Sequence, residues 1–276
     1  MKFTKMQAAG NDFILINGFE YEIEDYNGLA KKVCDRHFGI GADGLMVCKD
    51  SNVADIEMRY YNSDGSRGEM CGNGIRCFSK FIYDNNILKK EYFKVETLGG
   101  IKTIWIDETD GVARTIKVDM EKAIFEAEKV PVHMGMDRVI DEKISVDGKD
   151  MIISSILVGV PHTVIIVDDL KNTLVNELGR KIEKLDIFPR KTNVNFIEIL
   201  DRNTINISTW ERGAGRTLGC GTGSCASVVI GHLLGNLENK VLVNTEGGKL
   251  TVELGPDYEI YMTGDANTIC EGELKI

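Results

Sequence analysis

Cys71-Gly72-Asn73-Gly74-Ile75-Arg76-Cys77 recurs 149 residues later as Cys220-Gly221-Thr222-Gly223-Ser224-Cys225. A Cys-Gly-x-Gly match carries little by itself in a chain with 29 glycines among 276 residues. Three more pairs fall at nearly the same spacing. Thr97-Leu98-Gly99-Gly100 and Thr245-Glu246-Gly247-Gly248 each open an alternating run, Lys102 to Ile106 and Lys249 to Leu254. Gly10-Asn11-Asp12-Phe13 and Val160-Pro161-His162-Thr163 each precede an apolar run, as do Asp43-Gly44 and Asn193-Val194-Asn195. Ordered matches at one offset mark an internal repeat. The chain therefore reads as two homologous halves that cross over near residue 118.

Each half follows the same order. Strand-length runs come first (Lys2 to Met6 and Asp12 to Asn17; Met151 to Val158 and Val164 to Val167), then a helical stretch (Tyr26 to Asp35; Lys171 to Ile182). A further strand follows in each (Asp55 to Tyr61; Thr204 to Trp210), and then the glycine-rich loop enters a helix (Gly72 to Tyr83; Gly221 to Leu234). Those last two helices are apolar around much of their circumference, which predicts burial by strands on several sides. The expected class is α+β in two pseudo-symmetric domains, residues 1–118 and 119–264, with a short tail, 265–276, returning to the first.

Composition narrows the function. Lys and Arg number 33 against 43 Asp and Glu, a net charge of −10, with no basic run, so neither nucleic acid nor an anionic membrane is an expected partner. The N-terminal residues lack an apolar core of the signal-peptide kind, and the longest apolar stretch, Met151 to Val160, is too short to span a bilayer. Seven cysteines without CxxC spacing, and only four histidines, argue against a disulfide framework, a thiol-redox motif or structural zinc. A cytoplasmic, reducing setting is expected.

The repeated cysteines carry the chemistry. Each stands at the start of a buried helix with glycine beside it, where uncovered N–H groups and the positive end of the helix dipole form a carboxylate cradle and favour a thiolate. A phosphate loop is disfavoured, since neither copy ends in Gly-Lys-Ser/Thr. The bland alternative is two packed core cysteines. Two such sites across a cleft between pseudo-symmetric domains would place a thiol on each face of one carbon. One removes a proton as thiolate, the other delivers one as thiol, and the stereocentre inverts.

At this point the sequence resembles the diaminopimelate epimerase family. The matching motifs span nearly the whole chain: Gly10-Asn11-Asp12-Phe13, Gly39-Ile40-Gly41-Ala42-Asp43-Gly44, Asn62-Ser63-Asp64-Gly65-Ser66, Met70 to Cys77, Pro161-His162, Glu211 to Gly215, Cys220 to Gly223 and Tyr261-Met262-Thr263-Gly264. The resemblance implies two domains, each a β-barrel-like sheet wrapped around a central helix, with the active site in the cleft between them, and chemistry without pyridoxal phosphate, metal or other cofactor. It assigns Cys71 and Cys220 as the acid/base pair and the amides of Gly72, Asn73, Gly221 and Thr222 as the cradle for the reacting carboxylate. Asn11 becomes a substrate contact, and Asn62, Asn193, Glu211 and Arg212 hold the distal end. His162 and Glu211 orient the site. Taken alone, Asn11 and Asn62 read equally well as turn residues, Glu211-Arg212 as a solvated charge pair and His162 as a structural histidine.

Two positions depart from the family pattern. Val160 stands where an Asn usually precedes Pro-His and contacts the substrate's distal end, and Gly44 stands where some members carry Gln. The expected activity is epimerisation of LL-2,6-diaminopimelate to the meso form, in lysine and peptidoglycan synthesis, which Arg212, Asn62 and Asn193 favour. The alternative favoured by Val160 is a racemase of another α-amino acid, histidine for example. A non-catalytic metabolite binder fits two intact thiol cradles poorly. The expected partners are a small amino-acid substrate and, at most, a second copy of the chain as a homodimer.

Overall fold

Alternation of apolar and polar residues drives strands wherever one face must be buried, and the first 17 residues follow that rule. In the computed structural model, which describes residues 1–275, β1 (Lys2–Ala8) and β2 (Asn11–Asn17) form an antiparallel hairpin with Thr4 opposite Leu15. Helix α1 (Tyr26–Cys34), capped by the Asp25 carboxylate on the Gly28 N–H, carries the chain over so that β3 (Gly44–Lys49) runs parallel to β2. β4 (Ile56–Asn62) returns antiparallel to β3. Helix α2 (Gly72–Asp84) then leads to β5 (Tyr92–Thr97), parallel to β4, and antiparallel pairings add β6 (Gly100–Thr109) and β7 (Val112–Lys122).

The same order is repeated. After β8 (Val139–Val146), the antiparallel pair β9 (Lys149–Val158) and β10 (Val160–Ile166) is followed by α3 (Val175–Ile182) and by β11 (Asn193–Asp201), parallel to β10. β12 (Thr204–Glu211) is antiparallel to β11 and also pairs the short β13 (Gly215–Thr217). Helix α4 (Gly221–Leu233) leads to β14 (Lys240–Thr245), parallel to β12, and β15 (Gly248–Leu254) folds back on it. β16 (Glu259–Gly264) and β17 (Asn267–Glu273) complete the chain, with β17 antiparallel to β1. By contacts there are two units, Met1–Asp119 with the chain from Thr263 onward, and Met120–Met262. The α+β class expected from the repeat is the class observed.

Within each unit one helix is enclosed. Every residue of α2 from Gly72 to Tyr83 is buried, and in α4 so are Gly221 and Gly223 to Gly231. Helix α2 packs on β1, β2, β3 and β6, and α4 on β9, β10, β11 and β15. The apolar run of β2 shows why. Ile14 and Ile16 pack with Leu29, Ala30 and Val33 of α1, and alternation turns Phe13 and Leu15 to the opposite face. With both faces covered, all four are buried.

Three local expectations are corrected. Helix α3 begins at Val175 rather than Lys171, because the Asp169 carboxylate takes the Asn172 N–H at 3.1 Å and its side-chain amide at 2.7 Å, holding residues 169–173 in a turn. The second strand of that half begins at Val160 rather than Val164; Pro161 lies within β10, its carbonyl accepting from Asn193 Nδ2 at 3.0 Å. Residues 267–273 of the short tail form a strand, β17. No helix among the described residues is long and apolar enough to cross a membrane.

Candidate active site

Cys71 is the N-cap of α2, in extended conformation (φ −137°, ψ 120°), and its sulfur accepts the Gly74 N–H at 3.4 Å. The residue takes the place usually filled by Ser, Thr, Asp or Asn. Ile75 donates to the Cys71 carbonyl at 2.8 Å, so the helix ladder starts there and the N–H groups of Gly72 and Asn73 belong to the open first turn. The thiol is half-buried. One turn on, the guanidinium of Arg76 is fully buried. It donates to the Gly72 carbonyl at 3.1 Å, to Asn73 Oδ1 at 2.9 Å and to the Asp265 carbonyl at 3.2 Å.

Arg76 starts a chain of side-chain hydrogen bonds through this unit. Asn73 Nδ2 donates to Asn11 Oδ1 at 2.6 Å, and Asn11 Nδ2 donates to Asp43 Oδ2 at 3.0 Å. Arg36 holds both Asp43, at 2.8 Å, and Asp12, at 2.7 Å, and Lys5 reaches Asp12 at 3.0 Å. Burial would raise the Asp12 carboxyl, but Arg36 and Lys5 outweigh it and hold it below its ordinary value. Asn62 is fixed in the next strand. It takes the Tyr60 hydroxyl on Oδ1 at 2.8 Å and donates to Ser66 Oγ at 2.9 Å, while its backbone pairs in register with Gly44. Asn11 and Asn73 are thus brought into contact, and Asn62 stands on β4, with β3 between it and the strand of Asn11.

The second unit repeats the cap. Cys220 is the N-cap of α4 (φ −109°, ψ 111°), its sulfur accepting the Gly223 N–H at 3.3 Å and lying 3.5 Å from the Thr222 hydroxyl, with Gly221 buried at the first helical position. At 7% exposure it is the more enclosed thiol. Beneath that turn lies Asn195, also fully buried; a Cβ on Gly223 would overlap its Oδ1 and come within 3.2 Å of the Cys220 sulfur. Asn195 Nδ2 faces His162 Nδ1 at 3.2 Å and the Thr163 carbonyl at 3.2 Å, and its Oδ1 accepts from the Thr209 hydroxyl at 3.0 Å. Burial first, and the charge of Arg212 second, push the His162 imidazole down to about 3, so the ring is neutral near pH 7.

Asn193 pairs in register with His162 and ties in the distal-end candidates. Its Oδ1 accepts the Arg212 backbone N–H at 2.8 Å, which leaves the half-buried guanidinium of Arg212 donating to the Arg190 carbonyl at 2.9 Å. Glu211, at the end of β12, accepts from the Thr217 hydroxyl at 2.6 Å. Val160 heads β10 and is half-buried. His162, Asn193, Glu211, Arg212, Thr222 and Cys220 therefore belong to one linked region. Among the described residues, no cluster of three or more His, Cys, Asp or Glu could hold a metal ion.

Among the residues of these networks that had no role in the sequence reading are Arg76, Asp43 and Asn195. Each had a signal. Arg76 is a charge one turn into a helix that begins Cys-Gly-Asn-Gly, one residue before Cys77, and Asn195 is a polar residue two positions from Asn193, on the same face of an apolar strand. Burial pushes the thiols of Cys34 and Cys48 up to about 12 and about 11, the inert behaviour of core cysteines.

The sequence profile of the family described as diaminopimelate epimerase matches residues 3–126 and 154–269. A diaminopimelate epimerase of Alkaliphilus metalliredigens is 48% identical over 273 residues, covering 99% of this chain and 96% of its own. That of Caldanaerobacter subterraneus subsp. tengcongensis is 46% identical over 276 residues, covering 100% of both. Among solved structures, a probable proline racemase from Agrobacterium radiobacter is similar in fold, with a TM-score of 0.75 at 12% identity over 100% of this chain and 93% of its own. On its sequence, the chain belongs to the diaminopimelate epimerase family.

Proposed function

We propose that this protein inverts the α-carbon of an amino acid by two-base proton transfer, converting LL-2,6-diaminopimelate to the meso form, with Cys71 and Cys220 as the bases. The observation that carries this reading is the paired cap. In each of two units with the same strand order, a cysteine sits at the N-terminus of an enclosed helix and takes the N–H of the glycine three residues on. One thiolate accepts the α-proton, and the other thiol gives its proton to the opposite face. The products are the inverted substrate and a thiol pair with roles exchanged, so every proton is accounted for without a cofactor. The first-turn amides of α2 and α4 receive the carboxylate, whose negative charge grows as the α-proton leaves. Arg212 is the group suited to a distal carboxylate, with Asn62, Asn193 and Glu211 beside it in role and Asn11 as a further contact. His162 orients the site.

A second reading, racemisation of a different α-amino acid, draws on Val160, whose side chain offers no hydrogen bond to a distal amino or carboxylate group. One experiment separates the two. Exchange of the α-proton in deuterated water is followed with LL-diaminopimelate, histidine, lysine and glutamate. Exchange and inversion confined to diaminopimelate support the first reading. Inversion of another member alone supports the second, and no exchange with any of them refutes both.

A further inference from the structure

The His162 ring is fully buried, yet one of its nitrogens, Nε2, has no hydrogen-bond partner among the described residues. Its other nitrogen is held by Asn195, and the surroundings of Asn195 dictate which way the amide points. The Thr163 carbonyl can only accept, so the group 3.2 Å from it is the Asn195 NH2. The Asn195 oxygen then faces the Thr209 hydroxyl at 3.0 Å, which can donate. The second N–H of the same NH2 is directed at His162 Nδ1, 3.2 Å away. A donor opposite Nδ1 requires a lone pair there, so the ring proton resides on Nε2.

We infer that Asn195 is a positioning residue that fixes His162 as the neutral, Nε2-protonated tautomer, making it a hydrogen-bond donor to a substrate oxygen and not a base. The inference rests on the epimerase reading for the identity of the acceptor, though not for the state of the ring. Two features make it a built arrangement. Asn195 is enclosed on every polar atom, and its oxygen lies against Gly223, the residue whose N–H caps the Cys220 sulfur. The same amide therefore sets both the imidazole and the floor of the thiol turn. The charged group acting on His162 is Arg212, and a positive neighbour also disfavours a second ring proton. A buried N–H donor without a protein partner is costly on its own, and a substrate oxygen would satisfy it.

The test is nitrogen NMR on the full-length protein labelled with 15N-histidine, with the His162 signals assigned by their disappearance in His162→Gln. The expected spectrum has Nδ1 in the unprotonated range and Nε2 protonated, unchanged from about pH 8 down to about pH 5. In Asn195→Asp the carboxylate accepts a hydrogen bond from Nδ1, so the proton should move onto Nδ1. Turnover should fall roughly 10- to 100-fold, the scale known for outer partners of metal-bound histidines, and mainly in kcat. A wild-type ring protonated on Nδ1 overturns the inference, even if Asn195→Asp does not fold. So does an Asn195→Asp protein whose tautomer and kcat are those of the wild type. Failure of the epimerase reading would be seen separately, as absent α-proton exchange in a wild type whose ring is still protonated on Nε2.

Discussion

Acid should destabilise the unit that holds His162 as the pH falls below the ordinary histidine value. The imidazole is fully buried and its folded value is pushed down to about 3, against 6.5 for an ordinary histidine. The unfolded chain therefore binds a proton at this residue below pH 6.5 that the folded chain refuses. Stability is fully present above that pH and falls as pH drops toward 3, at about 1.4 kcal/mol per unit. Between about pH 7 and about pH 5 the loss is about 2 kcal/mol. Within that unit, hydrogen bonds from Lys129 and Asn172 hold the carboxyls of Glu126 and Asp169 below their ordinary values, outside that window. The assay is urea unfolding followed by Trp210 fluorescence in a Trp105→Phe background, since these are the two tryptophans of the chain and Trp210 lies in the unit that contains His162. His162→Gln keeps an acceptor for the Asn195 amide but has nothing to titrate. The wild type should lose about 2 kcal/mol more than His162→Gln over the same pH change. Equal losses in the two proteins would refute the argument that the ring is buried in its neutral form.

The two caps should respond differently to the same substitution. Gly223→Ala presses a methyl onto the immobilised Asn195 oxygen and against the Cys220 sulfur, and should cost about 1–3 kcal/mol in urea unfolding along with most of the activity. Gly74→Ala meets the terminal methyl of Met46, which can move aside, and should remain within about 1 kcal/mol of the wild type. Arg76→Met removes the buried side-chain donor to the Gly72 and Asp265 carbonyls and to Asn73 Oδ1, a loss on the order of 3 kcal/mol by thermal or urea unfolding. Arg212→Met should raise KM for diaminopimelate roughly 10- to 100-fold with kcat changed little, because a charge-assisted contact to a distal group is lost from ground and transition states alike; a fall in kcat at unchanged KM would contradict a distal role.

Much of the architecture was legible because the repeat fixed it. A common offset between Cys71 and Cys220, and between Gly99-Gly100 and Gly247-Gly248, requires the same strand order twice, and that order is observed. What stayed hidden depended on side-chain competition for backbone groups and on contacts between residues distant in sequence. The start of α3 is set by Asp169, whose side chain competes with the helix for the Asn172 N–H. The strand character of residues 267–273 comes from pairing with β1 at the other end of the chain, against an exposed, weakly apolar local sequence. In the same way, Asn11 and Asn62 look like turn residues along the chain, and only the fold shows Asn11 bonded to Asn73 and Asp43. Asn195 carried a signal as a second polar residue on the face of Asn193, but its partners lie on β10 and β12.

The central claim is that both thiols transfer protons. It is tested most directly by measuring inversion of LL-diaminopimelate in deuterated water with Cys71→Ala and Cys220→Ala separately, each checked for native circular dichroism. The account predicts that either substitution alone lowers inversion by at least ~100-fold, the scale of one lost acid–base group, with the fold retained. Near wild-type inversion by either variant would contradict it.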